Sequence, residues 1–350
     1  MLGRTGVLVV NLGTPDSPGR YDVYRYLREF LTDRRVIDYP WVARQALVQG
    51  IIAPFRSGSS AKLYRQLWTE EGSPLKVFGE SLVASLAERL GDDYVVRLAM
   101  RYQRPSIEAT VRELLAEDVS ELIVFPLFPQ YASATTGSVH DEVMRVLRAE
   151  EAIPEVHLVR DYYRHPALVR CFAENARRFG TDNYDHVLFS FHGLPERQLR
   201  TADRHDHCTK VADCCSRITT TNQYCYSAQC HATARAIAAE LSLPADGYSI
   251  CFQSRLGPEK WAQPYTSEVI KDRRAAGDTK LLVLCPAFTA DCLETVIEIS
   301  DEYKEEFEEL GGETLDLVPS LNDMPEWVDA VAELVCARSL RTAPAEPVAA

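Results

Sequence analysis

The sequence predicts an α/β protein with two similar halves, each containing a four-stranded parallel sheet flanked by helices. Short apolar runs of strand length alternate with stretches of helical periodicity, which is typical of parallel sheets with helical crossovers. Four such runs fall in each half of the 350-residue chain, at similar spacing. The composition, 46% hydrophobic and 25% charged, is that of an ordinary globular protein.

The predicted strands divide the chain near residue 160. Those of the first half are GVLVVNLG, YVVRLAMRY, ELIVFPLF and EVHLVRDYY, and those of the second are HVLFSFHG, YSICFQSRLG, KLLVLCPAFT and LDLVPSL. We therefore predict two domains, residues 1–160 and 161–340. A helix around PALVRCFAENARRFG links them, and PEWVDAVAELVCARSL closes the fold. The Pro-rich residues 341–350 are expected to form a frayed tail.

Two segments interrupt the alternation of strands and helices. Residues 36–58, VIDYPWVARQALVQGIIAPFRSG, are rich in large apolar side chains, and either a buried helix or an exposed apolar lip fits them. Residues 200–226 include a cysteine-rich stretch between SFHGLPER and a helical AQCHATARAIAAELSL. This second segment has the character of an insertion.

Charge and motif content exclude several functional classes. The formal charge of −13, without a basic stripe, argues against nucleic acid as a partner. The sequence has no apolar run of the ~18 residues that a membrane span needs, and its N-terminus lacks the features of a signal peptide. We therefore expect a cytoplasmic protein whose cysteines do not form stable disulfides. The first predicted strand is followed by NLGTP, which matches neither the dinucleotide nor the phosphate-loop motif.

Chemically active side chains follow two of the predicted strands. Ligands of open parallel sheets bind at the carboxyl ends of strands, and His192 follows HVLFSF directly. After the seventh strand, Glu294, Glu298 and Glu302 recur at every fourth position, which places them on one helix face. This pattern fits a solvated acidic face, or a ladder of oxygen ligands that passes a divalent cation and carries protons.

Six blocks of the sequence resemble ferrochelatase motifs in order and spacing. They are GVLVVNLGTPDSP, LYRQLWTEEGSPL, FPLFPQYASATTGS, SFHGLPER, FQSRLGPEKWAQP and FTADCLETVIEISDEY, and they cover roughly residues 5 to 335. The resemblance implies two Rossmann-like domains of the class II chelatase type, with a cleft in which Fe²⁺ is inserted into a porphyrin. Two pyrrole protons must leave as the ion enters, so such a site needs a base and loosely binding oxygen or nitrogen ligands.

The resemblance also implies roles for individual residues. It makes His192 the residue that faces the pyrrole nitrogens, as proton acceptor or metal-delivering ligand, with Glu294 opposite and Glu298 next along the acidic path. His192 and Glu294 are thus the expected ligands of the substrate Fe²⁺, and the cleft is expected to bend the ring. Arg101 is expected to pair with a propionate. The residues expected in or near the porphyrin pocket are Leu12, Tyr64, Ser73, Arg101, Tyr102, Ser133, Thr135 and Thr136.

The same resemblance bears on the porphyrin and on location. Coproporphyrin-using relatives tend to carry tyrosine at the position of Leu12, and protoporphyrin-using relatives carry Met or Leu, so protoporphyrin IX is the expected substrate. Residues 36–58 align with the family's pocket lip, which predicts weak peripheral contact with the inner membrane, although the negative net charge does not help docking on anionic lipid. The oligomeric state is left open.

Five of the ten cysteines lie in HDHCTKVADCCSRITTTNQYCYSAQC. Animal ferrochelatases hold a 2Fe-2S cluster through one internal and three C-terminal cysteines, but this chain has Ser133 at the internal position and no cysteine after Cys336. The absence of a CxxC pair weakens a zinc assignment, and four thiolates in irregular loops suit a 2Fe-2S cluster. Cys230 resembles a helix start in cluster-free relatives and is held in reserve. The predicted cluster ligands are Cys208, Cys214, Cys215 and Cys225.

Several alternatives remain open at this stage. Adjacent Cys214 and Cys215 are expected to point in different directions, which suits two irons better than one zinc ion. Zinc held by the same thiols with His205 or His207, or free redox-active thiols, are the alternatives. Cys292 occupies a position where many relatives have histidine, which makes it a candidate contact on the metal path.

Two other functions compete with a protoporphyrin ferrochelatase. One is a chelatase for coproporphyrin or another tetrapyrrole. The other is a chelatase-derived sensor of iron or redox state in which the cluster is the working part. Intact His192 and Glu294 disfavour a sensor, because a sensor has no use for them.

Overall fold

A computed structural model describes residues 3–211 and 213–340, and it contains two four-stranded sheets in which every strand pair is parallel. The predicted fold class is confirmed, because each strand coincides with one of the apolar runs. The expected tail, residues 341–350, lies outside the described residues. The strands are β1 (Thr5–Gly13), β2 (Tyr94–Tyr102), β3 (Glu121–Pro126), β4 (Glu155–Leu158), β5 (His186–His192), β6 (Tyr248–Gln253), β7 (Lys280–Leu284) and β8 (Thr314–Leu317).

The two sheets share one topology. Their strand orders are β2-β1-β3-β4 and β6-β5-β7-β8, so the first strand of each half lies inside its sheet. Parallel neighbours require crossover connections, and helices supply them. The interior strands β1 and β5 are buried along almost their whole length. Their carboxyl ends, at Gly13 and His192, are therefore the positions where the topology predicts ligand binding.

The helices flank both sheets, and besides the 3₁₀ turn Thr181–Asn183 three segments within the described ranges depart from regular α-geometry. Val48–Ile52, Ser133–Gly137 and Glu298–Tyr303 are π-helical turns, a rare conformation that is frequent at functional sites. The α-helices are α1 (Arg20–Thr32), α2 (Trp41–Leu47), α3 (Ala53–Leu67), α4 (Pro74–Leu90), α5 (Ile107–Ala116), α6 (Ser138–Leu147), α7 (Pro166–Arg177), α8 (Glu196–Ala202), α9 (Tyr226–Glu240), α10 (Thr266–Ala275), α11 (Leu293–Val296), α12 (Lys304–Glu309) and α13 (Pro325–Cys336).

A single hydrophobic core joins the two halves. Helix α13 returns from the end of the described chain to pack against α4 and α7, and its Trp327 is fully buried. Trp327 lies 6.1 Å from Tyr162, measured between ring centroids, and Tyr162 stacks on Phe125 of β3 at 5.0 Å. The same core contains Phe189 of β5. Because the sheets share this core, the cleft between them has fixed walls.

Residues 36–58 combine the two alternatives that the sequence left open. Val48 is fully buried and packs in a small apolar cluster near α1. The opposite side presents an apolar surface to solvent, which we call the lip. No helix among the described residues is long and apolar enough to cross a membrane. The lip comprises Trp41, Val42, Ile51 and Phe55, whose exposed fractions are 67%, 70%, 57% and 78%.

Gly13 is predicted to be irreplaceable at the end of β1. Its φ is +116°, and a Cβ there would overlap the carbonyl group of Tyr102 in the paired strand β2. We expect Gly13→Ala to destabilise the protein by about 2 kcal/mol or more, because both the backbone and the strand pairing are strained. Thermal denaturation measures this. Gly50→Ala is the control, since a Cβ at Gly50 meets nothing within 4 Å; equal melting temperatures for the two variants would contradict the prediction.

Candidate active site

His192 is the last residue of β5, and its ring is held in one tautomer. The ring Nδ1 lies 2.6 Å from the carbonyl oxygen of Gly193, which can only accept, so Nδ1 carries the proton and the neutral ring keeps a lone pair on Nε2. The ring lies near those of Trp261 and Phe288, at centroid distances of 6.3 and 6.4 Å. The Tyr226 hydroxyl donates to the His192 carbonyl oxygen at 2.9 Å. The arrangement leaves Nε2 as the group that can accept a proton or bind a metal ion.

Glu298 is fixed by groups at the end of β6. Its carboxylate accepts hydrogen bonds from the Ser254 backbone N–H at 2.7 Å and the Ser254 hydroxyl at 2.5 Å. The Gln253 side-chain amide donates at 3.1 Å, and the Tyr303 hydroxyl lies at 3.3 Å. Ser254 takes the left-handed conformation, with φ of +66°, which turns the chain toward the carboxylate. The negative charge of Glu298 therefore has a defined position.

Glu294 lies where the second half of the chain contacts the first half. Its backbone carbonyl accepts from the Gln253 amide at 2.7 Å. Helix α11, which carries it, packs against α3, which carries Tyr64. Burial raises the pKa of the Tyr26 and Tyr64 phenols, and the nearby Glu294 charge raises both pKa values further. Burial also raises the pKa of the Cys292 thiol, and Glu294 adds to this effect. The Glu294 carboxylate is therefore surrounded by neutral hydrogen-bonding groups.

The acidic segment is not the single regular helix that the sequence predicts. The short helix α11 is followed by the π-helical turn Glu298–Tyr303 and then by α12. Within the turn, the N–H of Glu302 bonds to the carbonyl of Ile297, five residues earlier, at 3.0 Å. Glu294 and Glu298 are half-buried and Glu302 is exposed. Partial burial and the nearby charges of Glu298 and Asp301 raise the pKa of Glu302. The three glutamates thus form a series from the cleft to solvent.

Asp291, which precedes these glutamates in the sequence, has a structural role. Its carboxylate accepts from the Ser320 backbone N–H at 3.0 Å and the Asn322 side-chain amide at 2.8 Å. The Thr295 hydroxyl donates to it at 3.2 Å. By accepting these three hydrogen bonds, the Asp291 carboxylate joins the start of α11 to the loop before α13.

The residues predicted to bind the porphyrin differ in their accessibility. Leu12, Tyr64, Ser133 and Thr135 are half-buried around the cleft, and the Ser133 hydroxyl accepts from Arg35 at 3.1 Å. Three others, Ser73, Tyr102 and Thr136, are buried within the walls. The first set has side-chain surface for a ligand to touch, whereas the second supports the wall.

Arg101 already has a carboxylate partner. Its guanidinium lies 2.8 Å from Asp33, and the exposed fractions of the two side chains are 15% and 7%. Its Nε also donates to the Ser138 hydroxyl at 2.6 Å, and the Tyr102 hydroxyl donates to Asp33 at 2.9 Å. The expected propionate contact of Arg101 would have to share the guanidinium with Asp33.

Sequence reasoning missed several residues that shape the site. Gln253 and Ser254 lie within the predicted run YSICFQSRLG and Phe288 within KLLVLCPAFT, because β6 and β7 end earlier than those runs. Trp261 belongs to the block FQSRLGPEKWAQP, but the block alone does not show that its ring lies beside His192. Asp33 had no local signal, because its partner Arg101 is distant in the sequence.

The structure brings the four predicted cluster cysteines together. The sulfurs of Cys214 and Cys215 are 3.8 Å apart, and the Cys225 thiol is hydrogen-bonded to the sulfurs of Cys208 and Cys215. The bond from Cys225 lowers the pKa of Cys208, and the same bond raises that of Cys225 to about 11. Cys230 is fully buried in α9.

One expectation about these cysteines is wrong. Cys214 and Cys215 do not point apart, since their sulfurs are 3.8 Å from each other. Two thiolates on one tetrahedral metal ion at about 2.3 Å are also about 3.8 Å apart, so this pair suits one shared ion. Residues 3–211 and 213–340 nevertheless include no group of three or more His, Cys, Asp or Glu side chains already arranged to hold a metal ion.

Two polar side chains organise the cysteine-rich loop, residues 203–225, which has neither helix nor strand among its described residues. The Asp203 carboxylate accepts from the backbone N–H groups of His205, His207 and Cys208 at 2.9, 2.6 and 2.6 Å. The Asn222 amide donates to two carbonyls of the loop, those of residues 214 and 217, at 2.8 and 2.9 Å. Loops of this length without regular structure are usually functional or disordered, and this loop is internally bonded.

The fold and its cleft define a class II chelatase. The solved structure of SirB from Bacillus subtilis with Fe3+ matches with a TM-score of 0.52 at 13% identity, covering 95% of this chain and 94% of that one. DR2241 from Deinococcus radiodurans, described as structurally similar to chelatases, matches with a TM-score of 0.50 at 11% identity, covering 97% of this chain and 56% of that one. At these identities the likeness concerns the fold.

Sequence comparisons narrow the class to one family. Residues 4–339 match the family model described as ferrochelatase. The ferrochelatase of Legionella pneumophila is 44% identical over 332 residues, which is 95% of this chain and 98% of that protein. The ferrochelatase of Coxiella burnetii is 44% identical over 335 residues, covering 95% and 93% of the two chains. The chain belongs to the ferrochelatase family and is a metal chelatase of haem biosynthesis with a porphyrin and ferrous iron as substrates.

The buried ion pair beside the cleft yields a stability prediction. Asp33→Ala leaves the guanidinium of Arg101 buried without its carboxylate, and we expect a loss of about 3–5 kcal/mol in the free energy of unfolding. Denaturation by urea measures it. The matched control is Asp329→Ala, which removes the exposed pair between Arg89 and Asp329, where the loss should be at most about 1 kcal/mol. Similar losses for the two variants would contradict the prediction.

Proposed function

We propose that this chelatase inserts Fe²⁺ into protoporphyrin IX, using His192 and Glu294 as the groups that face the ring. The observation that carries the proposal is the tautomer of His192. Its Nδ1 proton is directed to the Gly193 carbonyl, so in the neutral ring the lone pair is on Nε2, at the carboxyl end of an interior strand. A base at this position can take a pyrrole proton without first changing its own protonation or orientation.

The two protons that leave the porphyrin must be carried away from the ring, and we assign this role to the acidic residues. Protoporphyrin loses two N–H protons as Fe²⁺ binds its four nitrogens, and the two N–H electron pairs become metal–nitrogen bonds. In the proposal His192 Nε2 accepts one proton, and Glu294, Glu298 and Glu302 bind the incoming ion loosely and carry protons outward. The gradient from half-buried Glu294 to exposed Glu302, with its raised pKa, supports this direction of transfer.

The choice of protoporphyrin IX rests on the apolar character of one cleft position. Leu12 is half-buried just before Gly13 at the end of β1, and its side chain has no group that could ligate the product iron. A coproporphyrin-specific enzyme is the alternative, and turnover of the two porphyrins under identical conditions distinguishes them.

The lip suggests how an apolar substrate reaches the cleft. Trp41, Val42, Ile51 and Phe55 expose most of their surface within 15 residues of the chain, in and before α3. Clusters of large exposed apolar side chains mark interaction surfaces. We infer a weak, peripheral contact with a membrane surface at this lip, from which the protein, otherwise cytoplasmic, takes up its porphyrin.

Removal of the proposed base should abolish most activity. We expect His192→Ala to lower kcat for iron insertion into protoporphyrin IX by about 10²- to 10⁴-fold, because the ring N–H protons lose their acceptor. Continuous absorbance assays of haem formation measure the rate. His205→Ala is the matched control, since His205 is exposed on the loop, and it should keep normal activity. Activity that survives His192→Ala would refute the mechanism.

We further propose that the cysteine-rich loop binds a 2Fe-2S cluster through Cys208, Cys214, Cys215 and Cys225. The proposal is supported by the approach of these four thiols to one another and by the 3.8 Å between the sulfurs of the adjacent pair. Three of them, Cys208, Cys214 and Cys225, line a cavity of about 20 Å³. When bound, such a cluster is a one-electron redox centre. The loop's own residues, Asp203 and Asn222, hold the backbone in position for it.

Metal analysis tests the cluster directly. Protein purified in air should be red-brown and contain about two irons and two sulfides per chain. Serine substitution of any one of the four ligands should bleach it, because serine oxygen replaces a thiolate. Cys336→Ser and Cys230→Ser should leave the colour unchanged. A colourless wild-type protein with one zinc ion would refute the assignment, and bleaching by Cys230→Ser with retention in Cys225→Ser would change the ligand set.

A further inference from the structure

We propose that Tyr226 is a positioning residue, which holds the end of the His192 strand and couples it to the cysteine-rich loop. The inference rests on the proposed functions of His192 and of the loop. Tyr226 is the first residue of α9 and directly follows Cys225 in the chain. Its hydroxyl donates to the carbonyl oxygen of His192 at 2.9 Å. One peptide bond therefore separates a proposed cluster ligand from the side chain that holds the proposed base.

The His192 carbonyl at the end of β5 needs such a hydrogen-bond donor because the pairing of β5 with β7 has ended before it. Pairing of β5 with β7 ends at Phe189 and Leu284, three residues before His192. Pairing with β6 ends at His192 and Gln253. The Gly193 N–H still donates to the Gln253 carbonyl at 2.8 Å, so Gln253 is the residue that bonds to β5 there. In a parallel ladder the His192 carbonyl then faces the other neighbour, β7, whose pairing has already ended. A buried carbonyl without a partner is costly, and the Tyr226 hydroxyl supplies the hydrogen bond from outside the sheet.

Tyr226 is itself tightly placed. Its side chain is 8% exposed and belongs to the central core, together with Phe191, Phe252 and Cys230. These three residues lie on β5, β6 and α9. A phenol confined in this way has few alternative rotamers, so the hydroxyl position follows the position of the first turn of α9.

The next turn of α9 extends the same connection to the other wall of the cleft. Gln229 is fully buried, and its amide donates to the backbone carbonyl of Gln223 in the loop at 2.8 Å. Its side-chain oxygen accepts from the backbone N–H of Tyr131 at 2.7 Å. Tyr131 lies two residues before the π-helical turn Ser133–Gly137, which borders the proposed porphyrin pocket. The loop, the His192 strand and this wall are therefore bonded to consecutive turns of one helix.

Through this connection the cysteine-rich loop affects the position of His192, although no loop residue takes part in the reaction. When the loop is ordered around its thiols, Cys225 fixes the first turn of α9, and the Tyr226 hydroxyl fixes the backbone from which the His192 ring projects. When the loop loses that order, the first turn of α9 gains freedom, and so does the strand end. Misplacement of a catalytic group by about 1 Å can lower a rate about 10²-fold.

The decisive variant is Tyr226→Phe, which removes one hydroxyl and keeps the ring. We expect kcat to fall about ten- to a hundredfold, with KM for the porphyrin unchanged and the visible absorbance of the protein unchanged. The matched control is Tyr162→Phe. The Tyr162 hydroxyl makes the same kind of bond, to the carbonyl of Pro126 at the end of β3, at 3.0 Å. This variant loses a buried hydrogen bond of equal type at a strand of the other sheet, not at the end of β5, and should keep its kcat.

Hydrogen–deuterium exchange tests the coupling without using activity. Exchange in peptides covering residues 186–195 should rise in Tyr226→Phe and also in Cys214→Ser, which disturbs the loop but not α9, and it should stay at the wild-type level in Tyr162→Phe. Unchanged exchange in Cys214→Ser would overturn the coupling, and unchanged kcat in Tyr226→Phe would overturn the positioning role. If His192→Ala keeps its activity, the proposed function is refuted. If His192→Ala is inactive and Tyr226→Phe has the wild-type kcat, only the positioning role of Tyr226 is refuted.

Discussion

The active site depends on the point where the parallel ladder between β5 and β6 ends. Near that point backbone groups without strand partners bond to side chains instead. The Ser254 N–H bonds to the Glu298 carboxylate, and the His192 carbonyl accepts from Tyr226. The Gln253 side chain bonds to both the Glu294 carbonyl and the Glu298 carboxylate. The need to satisfy buried backbone groups therefore arranges the residues to which we assign the chemistry.

The second requirement is that the two sheets stay in a fixed relation. A cleft that bends a flat macrocycle must resist being opened by it, and binding at the periphery supplies the strain only if the walls are stiff. Helix α13 and Trp327 close the core across both halves. The buried pair of Asp33 and Arg101 stiffens the first wall close to the cleft. Stiffness at the cleft thus comes from contacts between segments that are far apart in sequence.

Sequence patterns gave the strands, the position of His192 and the group of four cysteines, because each depends on local periodicity or spacing. They did not reveal the partner of Arg101, since Asp33 is a charge 68 residues away that nothing local identifies. They also misjudged the directions of Cys214 and Cys215, which follow from a loop backbone held by Asp203 and Asn222. Features set by hydrogen bonds between distant segments lie beyond pattern reasoning.

The π-helical turn Glu298–Tyr303 rotates the side chains that follow it around the helix axis, relative to those that precede it. One residue more per turn shifts the faces of a helix by about 100° relative to a regular α-helix. Before the turn, Glu294 is half-buried; after it, Phe307 is fully buried in the core of the second sheet. A single regular helix would have to give up one of these orientations. The extra residue allows one short segment to carry half-buried carboxylates at its start and a buried aromatic side chain at its end. The carboxylates therefore do not interrupt the apolar packing of the same segment.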